Sequence, residues 1–259
     1  MTTFNKVASV TLTFWVLKIL ATTLGETTGD LLAITVEMGY LVALIFTASF
    51  LCAVLAGQLS AERFYPFLFW AAIVCTTTVG TEISDMLDRT LHLGYTVGSL
   101  ILASGLAATL VIWRFTAGEI RVFPIFRKRE ELFYWVAILF SNSLGTAFGD
   151  YLSDSLGLGY VTGAMITAAV ILVVMALHFA TRINHVVLFW VAFVFTRPFG
   201  ATFGDFLTKP VDKGGLAFST ATASLIALVL MLAIISMARH PEADRRSIAE
   251  DERAKELDR

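Results

Sequence analysis

Six carboxylates recur in this 259-residue chain at spacings that composition does not explain. Asp30, Asp85, Asp150 and Asp205 each follow a glycine by five residues: Gly25, Gly80, Gly145 and Gly200. Each of these glycines follows a tryptophan by ten: Trp15, Trp70, Trp135 and Trp190. Nine residues after each aspartate comes another glycine (Gly39, Gly94, Gly159, Gly214), followed by Tyr40, Tyr95 and Tyr160 in three copies and by Gly215 in the fourth. Thus W-x9-G-x4-D-x8-G occurs four times without a gap, and Glu26 and Glu82 accompany the first two copies. Carboxylates supported by threonine hydroxyls and carbonyls form an oxygen-only ligand set, which suits Mg2+, Ca2+ or Mn2+. Several carboxylates close together stay ionised only beside a counter-cation, and otherwise carry protons. Glu26, Asp30, Glu82, Asp85, Asp150 and Asp205 are therefore the candidate metal ligands.

Helices must position them. Of the residues, 57% are apolar and 15% charged, against the usual 25% or so charged in globular domains. The mean hydropathy is +0.76. Uncharged runs such as Leu41–Leu55, Val161–Leu177 and Leu216–Met237 have the length of membrane spans. The expected fold is an all-α membrane protein of eight transmembrane helices built from four parallel two-helix repeats. The spans fall near 11–33, 39–57, 67–88, 94–113, 132–153, 159–180, 186–207 and 215–238. Residues 1–113 would hold repeats one and two, 114–131 a basic linker, 132–238 repeats three and four, and 239–259 a charged tail with a pair such as Asp251 and Lys255. Basic residues cluster on one side (Lys6, Arg63, Arg114, Arg121, Arg127–Arg129, Arg182), which places both termini in the cytoplasm.

Residues four apart share a helix face. Counting back from each aspartate gives Thr22-Glu26-Asp30, Thr77-Thr81-Asp85, Asn142-Thr146-Asp150 and Arg197-Ala201-Asp205. Lys18 extends the first stripe and Asp154 the third. Such faces are too polar for lipid, so they line an interior while the second helix of each unit forms the outer wall. The two glutamates bias the expected site toward Glu26, Asp30, Glu82 and Asp85. Lys18 and Arg197 can neutralise carboxylates in a static network or serve as built-in counter-charges, and the repeated aspartate can equally cap a helix end. The pairs Gly25/Gly29, Gly145/Gly149 and Gly200/Gly204 permit close helix packing or free backbone carbonyls for a ligand. Pro198 is expected to kink the seventh span.

Catalysis finds little support. His92, His178, His185 and His240 are scattered, Ser141 and Ser143 have no evident histidine partner, and Cys52 and Cys75 sit in apolar runs. No cofactor motif is present, and a formal charge of -2 gives no reason to expect a nucleic acid.

Through the segments GETTGD, GTEISD, GTAFGD and GATFGD, the chain resembles a bacterial family of uncharacterised membrane-anchored proteins. It also resembles, more distantly, cation/proton exchangers with a Glu-x-Gly-Asp motif. Here Glu26-Thr27-Thr28-Gly29-Asp30 has an extra residue, and Leu31 replaces the basic residue that follows. That second resemblance implies manganese or calcium export. The resulting expectation is a non-enzymatic secondary transporter in a bacterial inner membrane, exporting Mn2+ with proton coupling. A membrane scaffold or sensor, and a cation channel, remain the alternatives.

Overall fold

The computed structural model describes residues 5–238, and every regular element among them is helical. The eight α-helices are α1 (Leu12–Asp30), α2 (Tyr40–Ser60), α3 (Pro66–Asp85), α4 (Gly94–Ala117), α5 (Lys128–Asp150), α6 (Tyr160–Ala180), α7 (His185–Thr208) and α8 (Thr220–Met237). Local chemistry sets their starts. The Thr11, Asn184 and Ser219 side chains accept hydrogen bonds from backbone amides in the first turns of α1, α7 and α8. Pro66 opens α3, where its missing N–H costs nothing.

Seven helices are long and apolar enough to cross a membrane. The exception is α1, a 19-residue helix that carries Lys18, Glu26 and Asp30. It is surrounded by protein nonetheless, packing against α3, α7 and α8.

The four first helices form a ring in the order α1, α3, α5, α7, with α7 returning to α1. Each second helix packs on the first helix of the next repeat: α2 on α3, α4 on α5, α6 on α7, and α8 back on α1. No repeat therefore covers its own apolar face, and the fourth closes the circle on the first. The ring spans α3, α5 and α7 are 61–72% buried, whereas the outer helices are only 17–28% buried. Leu41, Ile45, Phe46 and Phe50 of α2 point outward, as a lipid-facing wall requires.

Ring spacing explains the first glycine of each repeat. A Cβ on Gly25 would collide with Thr77, one on Gly80 would press on Asn142, one on Gly145 would collide with Arg197, and one on Gly200 with Thr22. Each glycine is thus the contact point with the following ring helix. Packing accounts for it, because small residues let membrane helices approach closely.

Beyond Asp30, Asp85 and Asp150 the first three ring helices widen into a five-residue π-helical turn: Leu31–Thr35, Met86–Thr90 and Tyr151–Ser155. The fourth does not. α7 runs through Pro198 to Thr208, and a 3-10 turn at Val211–Lys213 follows. Gly39, Gly94 and Gly214 take φ of 71°, 76° and 82°, which explains the glycine nine residues after the aspartate in three copies; in the third, Gly159 has φ -62° and Gly157 takes the positive φ instead.

Two boundaries differ from the sequence reading. The loop between the halves is shorter than 114–131, because α4 continues to Ala117 and α5 starts at Lys128. Arg114 donates to the Gly118 carbonyl at the end of α4, and Glu130 and Glu131 occupy the first turn of α5, where acidic groups favour a helix start. The eighth helix begins at Thr220 rather than 215. Residues after Lys209 fold back, with Leu216 and Phe218 amides donating to the Phe206 and Leu207 carbonyls. The expected tail, including Asp251 and Lys255, lies outside the described residues.

Candidate functional site

Five layers of side chains fill the ring interior, the first built from two equivalent residues per repeat and the others from one. The first is aromatic. Phe14 lies against Trp70, Phe69 against Trp135, Tyr134 against Trp190 and Phe189 against Trp15, with ring centroids 5.4–6.3 Å apart. Lys18, Ile73, Ile138 and Phe193 come next, all 0% exposed. Then follow Thr22, Thr77, Asn142 and Arg197, then Glu26, Thr81, Thr146 and Ala201, and finally the four aspartates. The aromatic end is covered further by residues 5–8. There Lys6 pairs with Glu131, and Gln58 Nε2 donates to Glu131 Oε1 at 2.9 Å.

Lys18 makes no ion pair among the described residues. Its ammonium donates to Asn142 Oδ1 at 2.7 Å and lies 4.0 Å from the Phe193 ring centre. Arg197 crosses the ring. It donates to Glu26 Oε2 at 2.7 Å, to the Thr22 carbonyl at 3.3 Å and to Thr81 Oγ1. Of the two cations expected to neutralise carboxylates, only Arg197 does so.

The aspartates, 3–8% exposed, join in two pairs across repeat boundaries. Lys209 Nζ lies 3.1 Å from Asp205 of its own repeat and 2.9 Å from Asp30 of the first. Arg89 lies 3.1 Å from Asp85 of its own repeat and 3.3 Å from Asp150 of the third. One oxygen each of Glu26, Asp30 and Asp205 lies within 4.8 Å of the others. Glu82 is 0% exposed with neither carboxyl oxygen hydrogen-bonded. Its Oε1 would lie 3.4 Å from a Cβ on Gly29 of α1. The acidic groups thus gather around α1 from both neighbours, rather than within the first half of the chain alone. Asp85 and Asp150 adjoin this cluster and are bridged by Arg89.

Lys209 stands just past α7 with its side chain 30% exposed. Burial opposes its charge, but Asp205 and Asp30 outweigh that and raise its pKa above the usual lysine value. A raised pKa means that its ionic contribution is complete below the ordinary lysine range and is lost only above it. Lys209 is an ammonium at any physiological pH.

Residues 13–64, 68–119, 133–184 and 188–243 each match the family described as Repeat of Unknown Function (DUF347), which covers well over half of the chain. The chain belongs to this family. No curated protein and no solved structure matches it.

The DUF347 copies differ on the far side of each aspartate. Four residues forward of each stand Ile34, Arg89, Asp154 and Lys209. The same helical spacing would have revealed both bridging cations, since i and i+4 side chains meet on a helix. Tyrosines of one copy then reach this position in the next. Arg89 donates to Tyr40 Oη at 3.1 Å, and Tyr95 Oη donates to Asp154 at 2.6 Å. The fourth copy has Gly215 instead of tyrosine, and the position facing it in the ring order is the apolar Ile34. Asp88, within the second π-helical turn, is a further buried acid. It accepts from Ser84 at 3.4 Å and packs so closely on Gly98 that a Cβ there would collide with it. The histidines are less scattered than the sequence implied: His178 and His185 meet with Nδ1 atoms 3.1 Å apart between α6 and α7.

Proposed function

We propose that this DUF347 protein is a secondary transporter of a divalent metal cation, exporting Mn2+ with proton coupling. Glu26, Asp30, Glu82 and Asp205 hold the ion. One observation carries this reading. Among the described residues, the four carboxyl groups around α1 form ion pairs with only two cations, Arg197 and Lys209. The cluster is two positive charges short, and buried carboxylates do not remain uncompensated. One divalent ion, or two protons, supplies what is missing. All donors are oxygen, as hard cations require. Asp85 and Asp150 form the neighbouring group along the same mouth.

In this reading all eight helices span a bacterial inner membrane, α1 being carried by its neighbours. Both termini lie in the cytoplasm, and the carboxylates lie toward the outer side. The aromatic layer closes the cytoplasmic end, so transport requires the ring to open there. A continuous channel is supported less, because all five axial layers are filled.

The second reading is a scaffold or sensor. It draws on Arg197 with Glu26 and on Arg89 between Asp85 and Asp150, which look like a finished polar network. Mn2+ flux into proteoliposomes separates the two. A transporter moves Mn2+, and Asp30→Asn or Asp205→Asn abolishes the flux while leaving the protein monodisperse. Wild-type flux in both variants sinks the assignment of the site, and absence of flux in the unaltered protein favours the scaffold.

A further inference from the structure

Lys209 is where the fourth repeat departs most from its siblings. In the second repeat the equivalent residue, Arg89, lies inside the π-helical turn. Lys209 instead follows the last residue of α7, on extended backbone at φ -71° and ψ 155°. Its backbone is pinned, because its amide donates to the Asp205 carbonyl at 2.8 Å and its carbonyl accepts from Ala217 at 3.0 Å. Pro210 and the 3-10 turn come next. Only the side chain remains free to move. It bridges Asp30 and Asp205 at 2.9 and 3.1 Å, two of the three acids whose oxygens converge within 4.8 Å. The third, Glu26, is tied to Arg197, which is 0% exposed. Glu82, fully buried and without a partner, faces the same cluster.

We propose that Lys209 is a tethered stand-in for the transported cation. Its ammonium occupies the position between Asp30 and Asp205 until a divalent ion displaces it, and it returns when the ion leaves. The inference rests on the transporter reading and adds the residue that sets the affinity of its site. Lysine suits the task, since its ammonium is a compact point charge on a flexible four-carbon stem, whereas arginine holds carboxylates through a rigid fork. Mouth exposure of 30% gives the displaced side chain water to enter. Competition between tether and ion keeps the site from binding too tightly to release its cargo. It also keeps the two aspartates from facing each other uncompensated during the empty return step.

The experiment is equilibrium binding of Mn2+ to the purified full-length protein in detergent, with free Mn2+ read by electron paramagnetic resonance. Lys209→Met retains most of the stem and removes the competitor. It should bind Mn2+ on the order of tenfold more tightly, within the usual range for coupling between two ligands. Lys209→Arg, which clamps both aspartates, should bind at least as much more weakly. Lys213→Met removes the same charge from the same loop without touching the aspartates and should change affinity little. Unchanged or weaker binding in Lys209→Met, beside measurable binding by the unaltered protein, overturns the tether and leaves the transporter reading standing. An equal gain in Lys213→Met also overturns it, because general charge would then be the cause. Binding by neither the unaltered protein nor Lys209→Met removes the parent reading as well. Lys209→Arg serves as the check on folding, since it preserves the ion pairs and its melting temperature should match that of the unaltered protein.

Discussion

Two aspartate pairs in the ring share one plan, and under the proposed function their difference would separate a built-in support from a place for cargo. Each pair joins an aspartate to its counterpart in the next repeat through a base four residues further on. At the junction of repeats two and three, Arg89 binds Asp85 and Asp150 from within a π-helical turn, and its guanidinium also reaches Tyr40. At the junction of repeats four and one, Lys209 binds Asp205 and Asp30 from the start of a loop. The first pair is one charge short, which a single shared proton completes. The second adjoins Glu26 and Glu82 and is two charges short, which suits a divalent ion. Duplication gave four equal positions, and under the proposed function the departures from equality would decide where a cation fits.

Removing each base tests that contrast most severely. Arg89→Met should lower stability by roughly 2–3 kcal/mol, less than the 3–5 typical of a fully buried pair because a third of the side chain is exposed. Mn2+ should not restore it. Lys209→Met should lose stability in metal-free buffer and regain it as Mn2+ is added, because an ion that binds the folded state raises its apparent stability. Thermal unfolding in detergent with and without Mn2+ measures both. Equal rescue of the two variants would erase the distinction between the pairs.

Glu82→Gln sharpens the comparison from the other side. It preserves shape and leaves the cluster around α1 one charge short, like the Arg89 pair. Mn2+ affinity should fall on the order of tenfold, about 1.4 kcal/mol. The number of protons released on binding, followed by a pH indicator in weak buffer, should fall as well. Unchanged affinity and proton release would remove Glu82 from the site.

Much of this architecture was legible before any coordinates. The four W-x9-G-x4-D-x8-G copies fixed the helix pairs, and the polar stripes identified α1, α3, α5 and α7 as inward-facing. Packing on the next repeat was not legible, since nothing in the apolar sequence of α2 distinguishes α1 from α3 as its partner. The π-helical turns left only a faint signal, because Leu31–Thr35, Met86–Thr90 and Tyr151–Ser155 share no more than a leucine at the second position and a hydroxyl residue at the fifth. Lys209 and Arg89 could have been read from the sequence as the i+4 partners of Asp205 and Asp85. What spacing within one copy could not convey is that each would also hold an aspartate of the following copy. Grouping the acids by halves did not anticipate, for the same reason, that the ring places Asp205 of the last repeat beside Asp30 of the first.

The smallest expected effect is the most exacting for independence of the pairs. Tyr40 accepts a hydrogen bond from Arg89 on the exposed side of the second-to-third junction, although Tyr40 belongs to the first repeat, whose Asp30 lies in the other pair. Tyr40→Phe removes one partly solvated bond and should cost about 0.5 kcal/mol, the low end for a net hydrogen bond. If the Arg89 pair is a support, the loss stops there and Mn2+ affinity stays unchanged. A change of affinity beyond about threefold, roughly 0.65 kcal/mol, would mean that α2 couples the two junctions. The four copies would then act as one cooperative ring instead of a support beside a site. Tyr95→Phe provides the matched reference, since it removes a bond to Asp154 in neither aspartate pair and should leave affinity equally unaffected.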